Sequence, residues 1–294
     1  VAQGRFAGQP QPAHASHCTR RLRLPLSSAL GASMSQKQML NEKSKKIILI
    51  AVGIAATLAL YSFGRIPQDA SYHFFADTEE LVGVSNFWNV MSNVPFVAVG
   101  VFALWRLPRL VERECLAAYI VLSIGITLVG FGSAYYHYAP SNETLLWDRL
   151  PMTVAFMALF SMLLGERVIN THKSMLLWFL VSCGIAAAFY WSWTEANGSG
   201  DLRPYAVVQF LPIILMPLII ALFSKKYLSN YLLLSAFAWY LVAKALEQHD
   251  HQIQSVLAII GGHPLKHIAA AIAAQCIVCA VPVGAPNTSL KDAP

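Results

Sequence analysis

The stretch FGSAYYHYAPSNETLLWDRLPM, residues 131–152, lies between two strongly apolar runs yet carries Ser133, His137 and Asp148. Ionisable groups at a membrane boundary are costly to keep dry and so are functional candidates. Ser133 and His137 are four residues apart, which puts them on one face of a helix, one turn from each other. A short turn with Pro140, Ser141 and Asn142 follows, and Asp148 stands at the opening of the next apolar run. A hairpin of two helices would bring all three to one end. A second i, i+4 pair, His263 and His267 in GGHPLKH (261–267), stands far downstream at the start of another apolar helix.

Outward from these motifs, the chain is dominated by apolar runs of about 17 to 25 residues, the length of a helix that crosses a bilayer. Of 294 residues, 56% are hydrophobic and 12% charged, about half the charge of a soluble domain. Mean hydropathy is +0.51. A β-barrel is excluded because its strands would read as short alternating segments. The net charge of +6 sits in short loops, which makes it a topology signal rather than a nucleic-acid surface. The fold class is therefore an all-α, polytopic transmembrane helical bundle.

Eight spans are expected, at about 47–63, 87–105, 116–136, 150–164, 175–193, 206–223, 231–246 and 263–281. Basic clusters precede the first span and follow the second, fourth and sixth, including Lys45, Arg106, Arg109, Arg167 and Lys225. The other loops are acidic or neutral. By the positive-inside rule both termini are cytoplasmic. Ser133, His137, Asp148, His263 and His267 then all fall at the outer membrane face. The domain reading is a basic or disordered N-terminal tail over 1–45, an extra N-terminal transmembrane helix over 46–66, a seven-span core over 77–282 and a C-terminal tail over 283–294. Met34 reads as a natural start, so 1–33 are read as upstream read-through or a disordered tail.

Three histidines with one open position make a catalytic zinc site. His137 would come from one helix, His263 and His267 from another. Zinc lowers the pKa of a bound water to about 7, and a carboxylate must take its proton. Asp148 is the nearest candidate, and Ser133 is placed to stabilise a developing oxyanion. The HPLKH spacing is not the zincin HExxH, so the base has to come from elsewhere. Proline at position 264 is tolerated in a first helical turn. Cys276 and Cys279 form a CxxC inside an apolar run and are read as packing residues. Lys244 and Glu247 are read as a structural ion pair. His73, His249 and His251 are not read as ligands.

GSAYYH (132–137), WDRLPM (147–152), GHPLKH (262–267) and NFWNVMSN (86–93) together resemble the alkaline ceramidase family, bacterial type, over about 77–280. The resemblance implies seven-span, zinc-dependent membrane hydrolases that cleave the N-acyl bond of ceramide to a fatty acid and a sphingoid base. It implies His137, His263 and His267 as zinc ligands, Asp148 as base and Ser133 as oxyanion donor. Eukaryotic members also bind calcium before the first core helix, which by position points to Asp77, Glu79 and Glu80. Here that loop is shorter, and Asn86 stands where they place a glutamate. The partner is a membrane lipid, ceramide or another N-acyl lipid. The location implied is a bacterial inner membrane with the site on the non-cytoplasmic face. The alternatives are a receptor-like protein of the same fold that does not hydrolyse, and a transporter using His137 and Asp148 as a proton relay.

Overall fold

The computed structural model describes residues 40–284. The readings made for residues 1–33 and for most of the C-terminal tail lie outside the described residues, as does Cys18. By contacts, the described residues from Glu42 onward belong to one unit, and every element below lies in it.

Among the described residues the regular structure is all helix, with two isolated β-bridges, Leu81 with Val84 and Leu110 with Val283. In order the helices are α1 (Glu42–Tyr61), α2 (Phe87–Met91), α3 (Val94–Arg106), α4 (Leu116–Tyr138), α5 (Asn142–Arg167), α6 (Lys173–Ala196), α7 (Arg203–Leu222), α8 (Asn230–Gln248), α9 (Asp250–Leu257) and α10 (Gly262–Ala280). Among the described residues, seven segments are long and apolar enough to cross a membrane: Glu42–Tyr61, Phe87–Arg109, Arg113–Tyr138, Asn142–Arg167, Lys173–Ala196, Arg203–Leu222 and Gly262–Ala280. These are seven of the eight expected spans. The remaining one, α8, is as long as α10, but Lys244 and Glu247 dilute its apolarity. It packs along α10, and both charged residues face a cavity rather than lipid.

The most buried span is α5, which packs against both α4 and α6. It begins with a capping box in which Ser141 Oγ accepts from Thr144 N–H at 3.2 Å and Thr144 Oγ1 accepts from Ser141 N–H at 3.0 Å. Two orphan N–H groups are thereby satisfied at the start of the helix. Pro151 lies within α5 and lacks the N–H that the Trp147 carbonyl would accept. Gly132 on α4 stands against that carbonyl, and any Cβ there would overlap it. The close approach brings the Ser133 and Asp148 turns together. At the other pole α1 packs on α7 and is otherwise covered with lipid-type side chains, Ile47, Ile50, Ile54 and Leu58, all exposed.

Candidate metal centre

Three helices converge at one end of the bundle. His137 sits in the last turn of α4, and His263 and His267 in the first two turns of α10. All three are buried. Their ring centroids are 4.8, 4.8 and 5.0 Å apart, and one ligand nitrogen from each lies within 4.8 Å of the others. Among the described residues this is the one group of three or more histidine, cysteine or acidic side chains close enough to share a metal ion. Phe75 lids it, with its ring 4.6 Å from His137 and 4.5 Å from His263.

The tautomer of His267 follows from its neighbours. Ser92 Oγ donates to the Asn89 carbonyl at 3.1 Å, so the contact of 2.8 Å to His267 Nδ1 has the imidazole donating. Nε2 is then unprotonated, and it is a buried nitrogen with no hydrogen-bond partner. His137 Nδ1 is another. His263 Nε2 accepts from Lys266 Nζ at 2.8 Å, so a cation already stands against the third ring. Buried polar atoms are seldom left unpaired. Two orphaned ring nitrogens beside a third that holds a cation form a donor set that fits a three-histidine zinc site. The hydrogen bond that His267 donates to Ser92 is the usual device for fixing ligand orientation.

The N-terminus of α10 is held from elsewhere. Its N-cap, Gly261, has no side chain to offer. Asp250 takes over, accepting from His263 N–H at 2.7 Å and from Ala76 N–H at 2.9 Å. A Cβ at Gly262 would overlap the Leu246 carbonyl of α8, so glycine sets the approach of α10 to α8 and the direction in which His263 points.

Asp148 and Ser133 are buried beside the histidines, with the Ser133 hydroxyl in hydrogen-bonding reach of the Asp148 carboxylate. Both line a cavity of about 360 Å³ together with His267, Arg149, Lys266 and Glu247. Lys244, Gln209 and three tyrosines complete its polar lining, and the rest of its wall is apolar and continues to Leu163 of α5. At 1.5 Å per residue that is ~22 Å beyond Asp148.

The five residues singled out in the sequence therefore meet at one place. Asp77, Glu79 and Glu80 do not join them. Asp77 accepts from Asn89 N–H (2.8 Å) and Glu79 N–H (3.2 Å), which makes it a remote cap for α2. Burial pushes its carboxyl above the ordinary range, while those two N–H groups pull it back. Glu79 accepts from Trp88 Nε1 at 3.2 Å. His73 hydrogen-bonds Tyr136 and Asn142 instead of the cluster. Lys244 pairs with Glu247 at 2.6 Å as expected, and Lys266 joins at 2.9 Å. Cys276 and Cys279 are free thiols. Sequence reasoning missed Phe75, Ser92 and Asp250. Ser92 alone carried a signal, as part of the motif at 86–93.

Fold and site together define an integral multi-pass membrane protein with a buried three-histidine centre open to an apolar chamber. A family model described as Ceramidase matches residues 82–281. The chain belongs to that family, whose members are hydrolases of the amide C–N bond of ceramide. No curated protein matches the chain.

Proposed function

We propose that the protein is a zinc-dependent amidase that hydrolyses ceramide or a related lipid amide inside the membrane, releasing a fatty acid and an amine. The observation that carries this reading is the meeting of three buried histidines with Asp148 and Ser133 at the polar end of a long apolar cavity. His137, His263 and His267 would hold the metal. When bound, zinc supplies a Lewis acid that makes water acidic enough to lose a proton near neutral pH.

The protein's own residues do the rest. The cavity takes the acyl chain along its apolar wall and so sets the amide at the Asp148 end. Asp148 accepts the proton of the attacking water and returns it to the leaving nitrogen. Ser133, one helical turn from His137, donates to the carbonyl oxygen as negative charge develops there. Phe75 covers the histidines and keeps bulk water from them.

The site faces the non-cytoplasmic side in this proposal. Support comes from the far end of the bundle, where the basic side chains gather: Lys173 pairs with Glu114, and Lys226 reaches Asn170 at 2.6 Å. Residues 77–282 form the hydrolase core and α1 is an addition to it, a division supported by the start of the family match at residue 82. Asp77, Glu79 and Glu80 stand just before α2 but do not form a group able to share one ion among the described residues, so a calcium ion proposed there would need ligands besides their side chains.

The test is metal content and turnover of purified protein in detergent. Wild type should hold about one zinc per chain. Asp148→Asn should keep that zinc and lose at least about 100-fold in rate, the usual contribution of a general base. Full activity in Asp148→Asn would assign the base elsewhere, and a zinc-free, active wild type would remove the mechanism.

A further inference from the structure

We propose that Arg149 is the anion-binding residue of the cavity, and that the lipid amide cleaved here carries a carboxylate or phosphate on its amine half. The proposal rests on the amidase reading above. Arg149 follows Asp148 in α5 and lines the same cavity. Its side chain is buried, 6% exposed, yet among the described residues it belongs to none of the ion pairs. One guanidinium nitrogen, Nη2, donates to Gln68 Oε1 at 2.6 Å. The other terminal nitrogen, Nη1, has no partner.

The guanidinium is caged by rings, with Trp191 4.1 Å, Tyr205 4.8 Å and Tyr72 5.6 Å from its centre. Such contacts stabilise a desolvated cation. They offset only part of the cost of burying an unpaired charge. The rings hold the group in place without neutralising it. Asp148 is close enough to feel its charge, but a carboxylate that must accept a proton from water cannot also be spent on a permanent ion pair. The remaining cations on the wall, Lys244 and Lys266, share the single carboxylate of Glu247. Three cations thus face two carboxylates, and a bound divalent metal would widen the excess.

A neutral diol headgroup would leave that excess as it is. A carboxylate or phosphate would remove it, and the planar fork of arginine matches both geometries. With the acyl chain in the apolar part, the anion belongs to the amine half. The released fatty acid carries a carboxylate too, so the two sources have to be told apart.

The experiment measures binding to zinc-loaded Asp148→Asn protein in zwitterionic detergent, followed by the fluorescence of Trp191 against a Trp191→Phe control. Three probes share one acyl chain: N-palmitoylglycine, N-palmitoylethanolamine and palmitate. We expect the glycine conjugate to bind at least about tenfold tighter than the ethanolamide, the scale of a hydrogen bond to a charged group. Arg149→Gln should abolish that ratio, and Arg149→Lys should restore part of it. The ratio in the parent protein can be read even if Arg149→Gln fails to fold. Equal binding of glycine conjugate and ethanolamide overturns the proposal, as does a preference that survives Arg149→Gln. Palmitate binding as tightly as the glycine conjugate, with the same dependence on Arg149, overturns the assignment to the amine half. Turnover is not measured, so a preference found here stands even if the amidase reading fails.

Discussion

The two ends of α5 each bury a polar cluster, and they are built on opposite principles. At the C-terminal end the side chains of Glu166 and Arg167 are fully buried and paired at 2.5 Å. One Glu166 oxygen accepts from the N–H groups of Lys226, Tyr227 and Leu228 at 2.6, 2.9 and 3.1 Å. Arg167 Nη2 reaches Asn230 Oδ1 at 2.6 Å. The cluster closes the α7–α8 turn and needs nothing more. At the N-terminal end burial is as deep, but His137 and His267 each keep a ring nitrogen without a partner, and the Asn89 amide has none for either atom. Depth of burial does not distinguish a structural staple from a reactive centre; satisfaction does. A finished network is explained by the fold, and an unfinished one calls for a ligand.

The comparison can be broken by moving the wrong property at the wrong end. The largest expected effect is at the histidines. His267→Ala should lower zinc content from about one per chain to background, while its metal-free unfolding midpoint stays closer to wild type than that of any Glu166 variant. Retained zinc would remove His267 from the ligand set.

Next in size is Glu166→Ala, which strips three N–H groups and a guanidinium of their acceptor. It should destabilise by ~3–5 kcal/mol, the cost of breaking a buried pair, and leave metal content intact. Thermal unfolding in detergent beside elemental analysis decides; a loss of zinc without a loss of stability would reverse the roles of the two ends.

Ser92→Ala sharpens the picture on a smaller scale. Removing the group that fixes the His267 tautomer should weaken zinc binding by about 10–100-fold, as read by competition with a chelator, with Ser92→Thr recovering most of it. An unchanged affinity would mean that the tautomer is set by the Asn89 carbonyl, which is also in reach of His267.

The smallest effect belongs to Asp201, between α6 and α7. Its pair with Arg203 at 2.8 Å holds its carboxyl below the ordinary range. A depressed carboxylate stabilises the fold above the unfolded pKa of about 3.9 and loses that contribution as pH falls further. The wild-type melting temperature should therefore drop more steeply than that of Asp201→Asn below about pH 4. Parallel curves would mean that the pair contributes nothing.

Much of the candidate metal centre was legible in advance because helices turn periodic spacing into shared faces. The pairs Ser133/His137 and His263/His267 each predict one face without any tertiary knowledge. Asp148 could be placed because a three-residue turn between α4 and α5 leaves a hairpin few ways to close. The count of spans was legible except at α8, where Lys244 and Glu247 make a lipid-facing pattern incomplete for a reason that lies in the cavity. The acidic loop was less legible, because composition does not say whether an aspartate faces water, an ion or the N–H groups of a helix 12 residues on.

By itself, the sequence determined that the chain is a helical membrane protein, where most of its spans lie and which five side chains share one end. Apolar length and helical period are properties of neighbours along the chain. Tertiary structure decided that Ser92 sets the proton of His267 and that Asp250 caps α10 in place of Gly261. It also decided that Gly132 admits the Trp147 carbonyl and that Arg149 is buried without a counter-ion. Each of these depends on which atom meets which across dozens of residues. A hydrogen bond made or missed at that range leaves no periodic trace in the sequence.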